Sequence, residues 1–193
     1  MNKKKRLIWQ IYPSYLLIAL ISMVAVTWYA SHSVRHFFFE QTATDLEARA
    51  RLVEKHIIEN FDPPEEKIID SLCKRLGVHS STRITVVLPS GKVIGDSSED
   101  PETMDNHIDR PEIIKAMKGG EGNSIRFSRT RKKSMMYVGI PLRNESRIVG
   151  VVRTSIPLNS IDDAIQNVQI KIVMAGLLIA VFVTLVSLWV SHR

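Results

Sequence analysis

A second cysteine is missing from this 193-residue chain. Cys73 alone excludes an intrachain disulfide and a thiolate cluster for zinc, so it reads as a small apolar residue buried in a helix. Histidines spaced for a metal are also missing. Only His32 and His36 stand three or four residues apart, and they read as interfacial polar residues, with pH sensing as the sharper alternative. There is no phosphate-binding loop, because Lys118-Gly119-Gly120-Glu121-Gly122 lacks the flanking strand and the Lys-Ser/Thr ending. Ser97 and Ser98 belong to no motif that supplies a base. No catalytic residue, metal site or cofactor is therefore expected in this chain, which is not read as an enzyme.

Acidic residues are absent before Glu40 and after Asp163. Six of the 26 basic residues (Lys3, Lys4, Lys5, Arg6, Lys171 and Arg193) flank two apolar runs, which leaves 20 against 20 acidic ones between them. The high pI thus belongs to the flanks. No basic face for nucleic acid is implied.

What the chain does have is two charge-free apolar runs. The second, Ile172 to Val190, is 19 residues long, close to the about 20 that cross a hydrocarbon core of about 30 Å. The first, Leu7 to Ala30, is longer than the apolar core of a cleaved signal peptide. It ends in Trp28-Tyr29, which suit a membrane interface, and is read as an uncleaved span. Lys3-Lys4-Lys5-Arg6 then marks the cytoplasmic side. The expected organisation is a cytoplasmic basic N-terminus (1–6), a first span (7–30), an outer domain (31–170), a second span (171–190) and the start of a further cytoplasmic part (191–193). Both termini are cytoplasmic in this scheme.

Pro13 falls inside the first span, where a kink is tolerated. From Ser31 to Phe61 there is no Gly or Pro, and a long helix is expected. Phe39, Ala43, Leu46, Ala50, Val53 and Ile57 repeat every three or four residues, a heptad seam. It suits either a two-helix homodimer contact or the face packed on the domain's own core. Asp62-Pro63-Pro64 breaks this helix, and a shorter one, Glu65 to Leu76, is closed by Gly77. A hairpin follows, Ile84–Leu88 and Lys92–Gly95 around Pro89-Ser90-Gly91. After a polar loop from Asp96 to Asp109 come a short helix, Pro111 to Lys118, and three strands, Ser124–Thr130, Ser134–Leu142 and Arg147–Leu158. The last helix begins at Asn159 or Ser160, with Asp162 and Asp163 in its first turn, and runs into the second span. This order predicts the α+β class, a five-stranded antiparallel sheet with helices on one face.

Two charged clusters stand out. Asp96, Glu99, Asp100, Glu102, Asp105 and Asp109 form a solvated loop or a divalent-cation site. Arg126, Arg129, Arg131, Lys132 and Lys133 form a charged hairpin tip or an anion site. Arg126, Tyr137 and Arg153 are the candidates to line a ligand pocket, as polar residues on strands. Gly176, Ala180 and Thr184 recur every four residues and mark a packing face for the second span.

The stretch Val86 to Ser97, ending Gly91-Lys92-Val93-Ile94-Gly95-Asp96-Ser97, resembles the second-hairpin signature of extracytoplasmic PAS-like sensor domains. Asp100-Pro101-Glu102-Thr103-Met104-Asp105-Asn106-His107-Ile108-Asp109-Arg110-Pro111-Glu112-Ile113 comes next, then Gly119, Arg126-Phe127-Ser128-Arg129-Thr130 and Met136-Tyr137-Val138. That series is similar to the sensor region of PhoR-type sensor histidine kinases, the phosphate-regulon family. Ser191-His192-Arg193 resembles the first residues of the HAMP segment there. The resemblance implies a PAS-like domain between two spans of a bacterial inner-membrane, homodimeric two-component receptor. ATP and a response regulator would engage a cytoplasmic kinase part that this chain lacks. Asn106, His107, Arg110, Pro111 and Glu112 carry the family motif, and locally Asn106 or Asp109 is expected to cap the short helix while Arg110 pairs with an acid. The same module could serve a chemoreceptor, a diguanylate cyclase or a stand-alone membrane-bound binding or adaptor protein.

Overall fold

Nothing between Ser14 and Ile58 interrupts a helix, since Gly and Pro are both absent there. In the computed structural model, which describes residues 3–61, 63–128 and 133–192, the first apolar run and the charged stretch after it form one helix, α1 (Lys3–Ile58). It continues through Pro13. Of the expected break at Asp62-Pro63-Pro64, Asp62 lies outside the described residues. Helix α2 (Glu66–Ser80) runs on past Gly77 and ends at Ser81, whose φ of 50° is left-handed. Gly77 is therefore not the stop that was expected: it is a buried residue inside the helix.

Two hairpin-like units then build one sheet. Strands β1 (Arg83–Val87) and β2 (Val93–Asp96) form the first. A 3-10 turn (Pro101–Thr103) and helix α3 (Pro111–Met117) lead to β3 (Gly122–Ser128), β4 (Lys133–Asn144) and β5 (Arg147–Pro157). All pairings are antiparallel and the order is β2-β1-β5-β4-β3. The last strand thus enters the middle of the sheet and joins both units. Helix α4 (Asn159–His192) follows it after a single residue. The side chains of Asn159, Ser160, Asp162 and Asp163, expected to cap it, lie outside the described residues.

The expectation of helices on one face does not hold. On one face Ala50, Val53 and Ile57 of α1, with Phe61 and α2's Ile69 and Cys73, pack on Ile84, Val86, Ile94, Ile140, Leu142 and Val152. On the other, Ile113 and Ala116 of α3 pack on Val87, Val93 and Val151. Covering both faces is why all five residues of β1 are buried instead of alternating.

Glycines let α3 come so close. A Cβ on Gly122 would stand 2.7 Å from the Cα of Glu112, and one on Gly139 would stand 2.9 Å from its carbonyl oxygen. Gly122 and Gly139 are register partners on β3 and β4, so together they form a bare patch on which the first turn of α3 lies. Gly122→Ala is expected to cost about 1–3 kcal/mol, the usual penalty for overpacking, read as a lower urea midpoint. An unchanged midpoint would mean that α3 is not held at this distance.

The heptad seam resolves into two parts. Leu46, Ala50, Val53 and Ile57 are buried within their own domain, and the Thr154 hydroxyl donates to the Leu46 carbonyl at 2.8 Å. These four do not form the dimer face that the repeat suggested, because the sheet already occupies them. Phe39 and Ala43 are half-buried beside a groove against β3.

The chain divides into the α+β domain, Phe39–Ser160, and a helical unit made of Met1–Phe38 and Ile161–Arg193. Two helical stretches, Leu17–Ile58 and Gln166–Leu185, contain windows long and apolar enough to cross a membrane. Their apolar side chains point outward, Leu17, Ile21, Val24, Leu178 and Phe182 among them, as lipid contact requires. Within this unit Gly176 abuts Met23, whose Sδ would be 2.6 Å from an added Cβ. Ala180 and Thr184 line the same groove beside Ala19 and Ser22. The Gln169 amide donates to the Ser31 hydroxyl at 2.9 Å.

Candidate functional site

The α3 face of the sheet carries a buried polar network where an all-apolar layer would be the simpler solution. Register creates it. Thr85 faces Asp96 on one side and Arg153 on the other, and Arg83 faces Ser155. Alternation along the strands puts Arg83 and Thr85 on the α3 side, while Ile84 and Val86 enter the opposite core.

Asp96 is the first node. Its carboxylate accepts from Arg83 Nε at 3.0 and 3.1 Å, from the Thr85 hydroxyl at 2.7 Å, and from the backbone N–H groups of Ser98 and Glu99 at 2.9 and 3.0 Å. The expectation that Asp96 belongs to a solvated acidic loop is thus wrong: it is a fully buried strand residue with saturated acceptors. Thr85 passes the network on, its Oγ1 accepting from Arg153 Nη2 at 3.1 Å.

Glu112 is the second node. It is fully buried in the first turn of α3. The Ser124 hydroxyl donates to Oε2 at 2.6 Å, and Arg126 Nη2 donates to Oε1 at 3.0 Å. Arg153 Nη1 lies 3.4 Å from the same oxygen. Burial alone pushes the Glu112 carboxyl up, but the Ser124 hydroxyl and the facing guanidiniums outweigh it and hold the group below its ordinary value. The Tyr137 ring faces both arginines, with the Arg126 Cζ 4.1 Å and the Arg153 Cζ 5.0 Å from its centroid, a cation–π arrangement.

Over this network lies a cavity of about 480 Å³ lined by Arg83, Arg110, Arg126, Arg153, His107 and Tyr137, with Glu99, Asp105 and Asp109 also in its wall. Arg153 is 2% exposed. Among the described residues, the buried Nε atoms of Arg126 and Arg153 have no hydrogen-bond acceptor, and that of Arg110 has only Asp109 Oδ1 at 3.4 Å. A buried donor left unmade costs about 1–3 kcal/mol. A ligand oxygen would remove that cost, so the arginine side of the cavity suits a hydrogen-bond acceptor.

His107 is nearly buried in the same wall. Its Nδ1 lies 2.7 Å from the Asp105 carbonyl, which accepts only, so Nδ1 carries the proton and Nε2 is the free base. Burial, then Arg153, lower its pKa to about 4.

The three pocket candidates named from the sequence, Arg126, Tyr137 and Arg153, therefore meet in one cluster. Of the family motif, His107 and Arg110 line the cavity and Glu112 anchors its floor. Pro111 takes the first position of α3, and Arg110 contacts Asp109 at 3.4 Å. Neither Asn106 nor Asp109 caps α3, whose N-cap is Arg110 without a side-chain bond. Asn106 instead donates to the Ser90 carbonyl and accepts from the Ile108 N–H, both at 2.9 Å, tying the loop to the β1–β2 turn. Sequence reasoning missed Arg83, Thr85, Asp96 and Ser124. The available signal was the alternation of polar and β-branched residues in Arg83-Ile84-Thr85-Val86. Arg129, Arg131 and Lys132 of the basic cluster lie outside the described residues. Among the described residues no three His, Cys, Asp or Glu side chains converge on a metal position.

No family model matches the chain, and no curated protein matches it. Solved structures do. The sensor domain of the Vibrio cholerae histidine kinase DctB superposes with a TM-score of 0.61 at 14% identity, over 77% of this chain and 60% of that one. The Escherichia coli DcuS sensor domain gives 0.51 at 17% identity, over 68% and 96%. The ligand-binding domain of the Campylobacter jejuni chemoreceptor Tlp3, in complex with L-valine, gives 0.51 at 19% identity, over 83% and 65%. The match thus spans about 60% of the DctB domain's length. At these identities the likeness is one of fold: a five-stranded antiparallel sheet with helices, as in extracytoplasmic PAS-like sensor domains.

Proposed function

We propose that this chain is the transmembrane sensor region of a two-component sensor histidine kinase, a homodimer in a bacterial inner membrane that detects an anionic ligand outside the cell. One observation carries the reading. An arginine-lined cavity sits in a PAS-like domain whose sequence is bracketed by two helices of membrane length. Arg153, in the wall of that cavity, is on β5, and α4 begins two residues after this strand ends. A ligand bound unequally by two arrangements of β5 would bias the helix that continues from it, which is the thermodynamic requirement of a receptor. The PhoR-type resemblance around Asn106 to Glu112 supports assignment to that kinase family, with ATP and a response regulator engaged by a cytoplasmic part. A chemoreceptor is the second reading, favoured by the fold shared with the Tlp3 domain.

Orientation is the first test. Cys73 is buried, and burial pushes the pKa of its thiol well up, away from the reactive thiolate, so the native cysteine stays silent. Arg75→Cys places a thiol on the exposed side of α2. A membrane-impermeant maleimide is expected to label it in intact spheroplasts. Labelling only after lysis would place the domain in the cytoplasm and end the receptor reading. In the whole protein, ATP-dependent phosphorylation of a histidine is the expected readout, and its absence would move the assignment to the chemoreceptor.

A further inference from the structure

Among the arginines of the cavity wall stands one imidazole that does not donate into it. Arg110, Arg126 and Arg153 offer N–H groups, whereas His107, with Nδ1–H committed to the Asp105 carbonyl, offers the bare lone pair of Nε2. No protein hydrogen bond reaches that nitrogen among the described residues. An anion is an acceptor as well, so anion and neutral imidazole repel across the cavity. Protonation turns Nε2 into a donor and reverses the sign of the contact. We infer that His107 makes anion binding in this cavity proton-coupled, the site taking up one proton with its ligand and holding it more tightly as the medium acidifies.

The inference rests on the anion-receptor reading of the same cavity. Its electrostatics follow from what faces the imidazole. Arg153 of β5, Arg126 of β3 and Arg110 of its own loop all oppose a charge on His107 when the cavity is empty. Arg83 of β1 stands in the same wall, paired with Asp96. The buried carboxylates offer His107 little relief, because Glu112 of α3 is bound by Arg126 and Arg153, and Asp96 of β2 by Arg83. Tyr137 of β4 is occupied by the two guanidiniums over its ring. A bound anion would cancel the field of the arginines at the position where Nε2 can donate. The sign is then fixed. Binding raises the affinity of His107 for its proton from about 4 in the empty site, so ligand affinity grows as pH falls below the bound-state value and levels off near the free one. Glu99, Asp105 and Asp109 also line the cavity, so only a His107 variant assigns the proton.

Sulfate is a suitable probe because it keeps both charges across the range used. Titrated calorimetrically into the whole chain in lipid nanodiscs, it is expected to bind at least about tenfold more tightly at about pH 5.5 than at about pH 7.5, with about one proton taken up. His107→Gln should flatten that dependence. Independently of any variant, the NMR titration of the wild-type His107 ring should move to higher pH when sulfate is added. Sulfate that binds with no pH dependence, a dependence that survives in His107→Gln, or a ring titration that sulfate leaves in place would overturn the coupling while sparing the anion reading. Failure of sulfate to bind wild type at either pH would overturn both.

Discussion

Glu112→Gln is expected to destabilise the α+β domain by about 3–5 kcal/mol, the range for removing one partner of a buried ion pair. The substitution keeps the shape of the side chain and an oxygen for the Ser124 hydroxyl. What it removes is the carboxylate charge paired directly with two guanidiniums, one of them 2% exposed. Urea unfolding measures the loss. The companion double variant Glu112→Leu with Arg153→Met is expected to recover most of it, because an apolar pair of similar volume avoids the desolvation of both ions. A single-variant loss below about 1 kcal/mol, the size of a surface pair, would mean that the network is far better hydrated than its burial implies. Acid should act in the same direction. Glu112 is held below its ordinary value, so its contribution is complete above the unfolded carboxyl's pKa and disappears as pH falls through the folded one. His107 acts at higher pH. Its folded value near 4 lies below the ordinary 6.5, so without ligand stability declines as pH drops between those two values.

Ile57→Ala should cost about 2–5 kcal/mol, the penalty for emptying a fully buried aliphatic site. Ile57 is 0% exposed in the core shared by α1, α2 and the sheet. The loss is expected to be independent of protein concentration, since the residue packs inside its own chain. Phe39→Ala, at the open end of the same stripe, should have a much smaller effect on unfolding. If Ile57→Ala left the melt unchanged and weakened self-association instead, the seam would be intermolecular after all.

These two cases mark where reading the chain works and where it stops. The heptad repeat from Phe39 to Ile57 correctly announced an apolar helical face, because helical periodicity depends only on neighbours along the chain. It could not say which surface covers that face. A sheet and a second helix present the same chemistry to a leucine. Asp96 shows the same limit from the other side. In a run of acids its burial is invisible, and only the pairing of β1 with β2 brings Arg83 and Thr85 against it. Gly77 was misread because a glycine near a helix end suggests a stop, whereas here it is buried within α2. Arg126, Tyr137 and Arg153 were legible as candidates from their strand positions. Their meeting was not, since Arg153 reaches the others only when β5 inserts between β1 and β4.

Apolar runs of membrane length, neutral composition between them, turn residues and alternating strands are local properties, and they sufficed for two long apolar helices around a five-stranded α+β domain. The partners of Glu112, Asp96 and His107 are separated by up to tens of residues, and strand order alone makes them neighbours. Burial, tautomer and charge balance are properties of that neighbourhood, so the chemistry of the cavity had to wait for the fold.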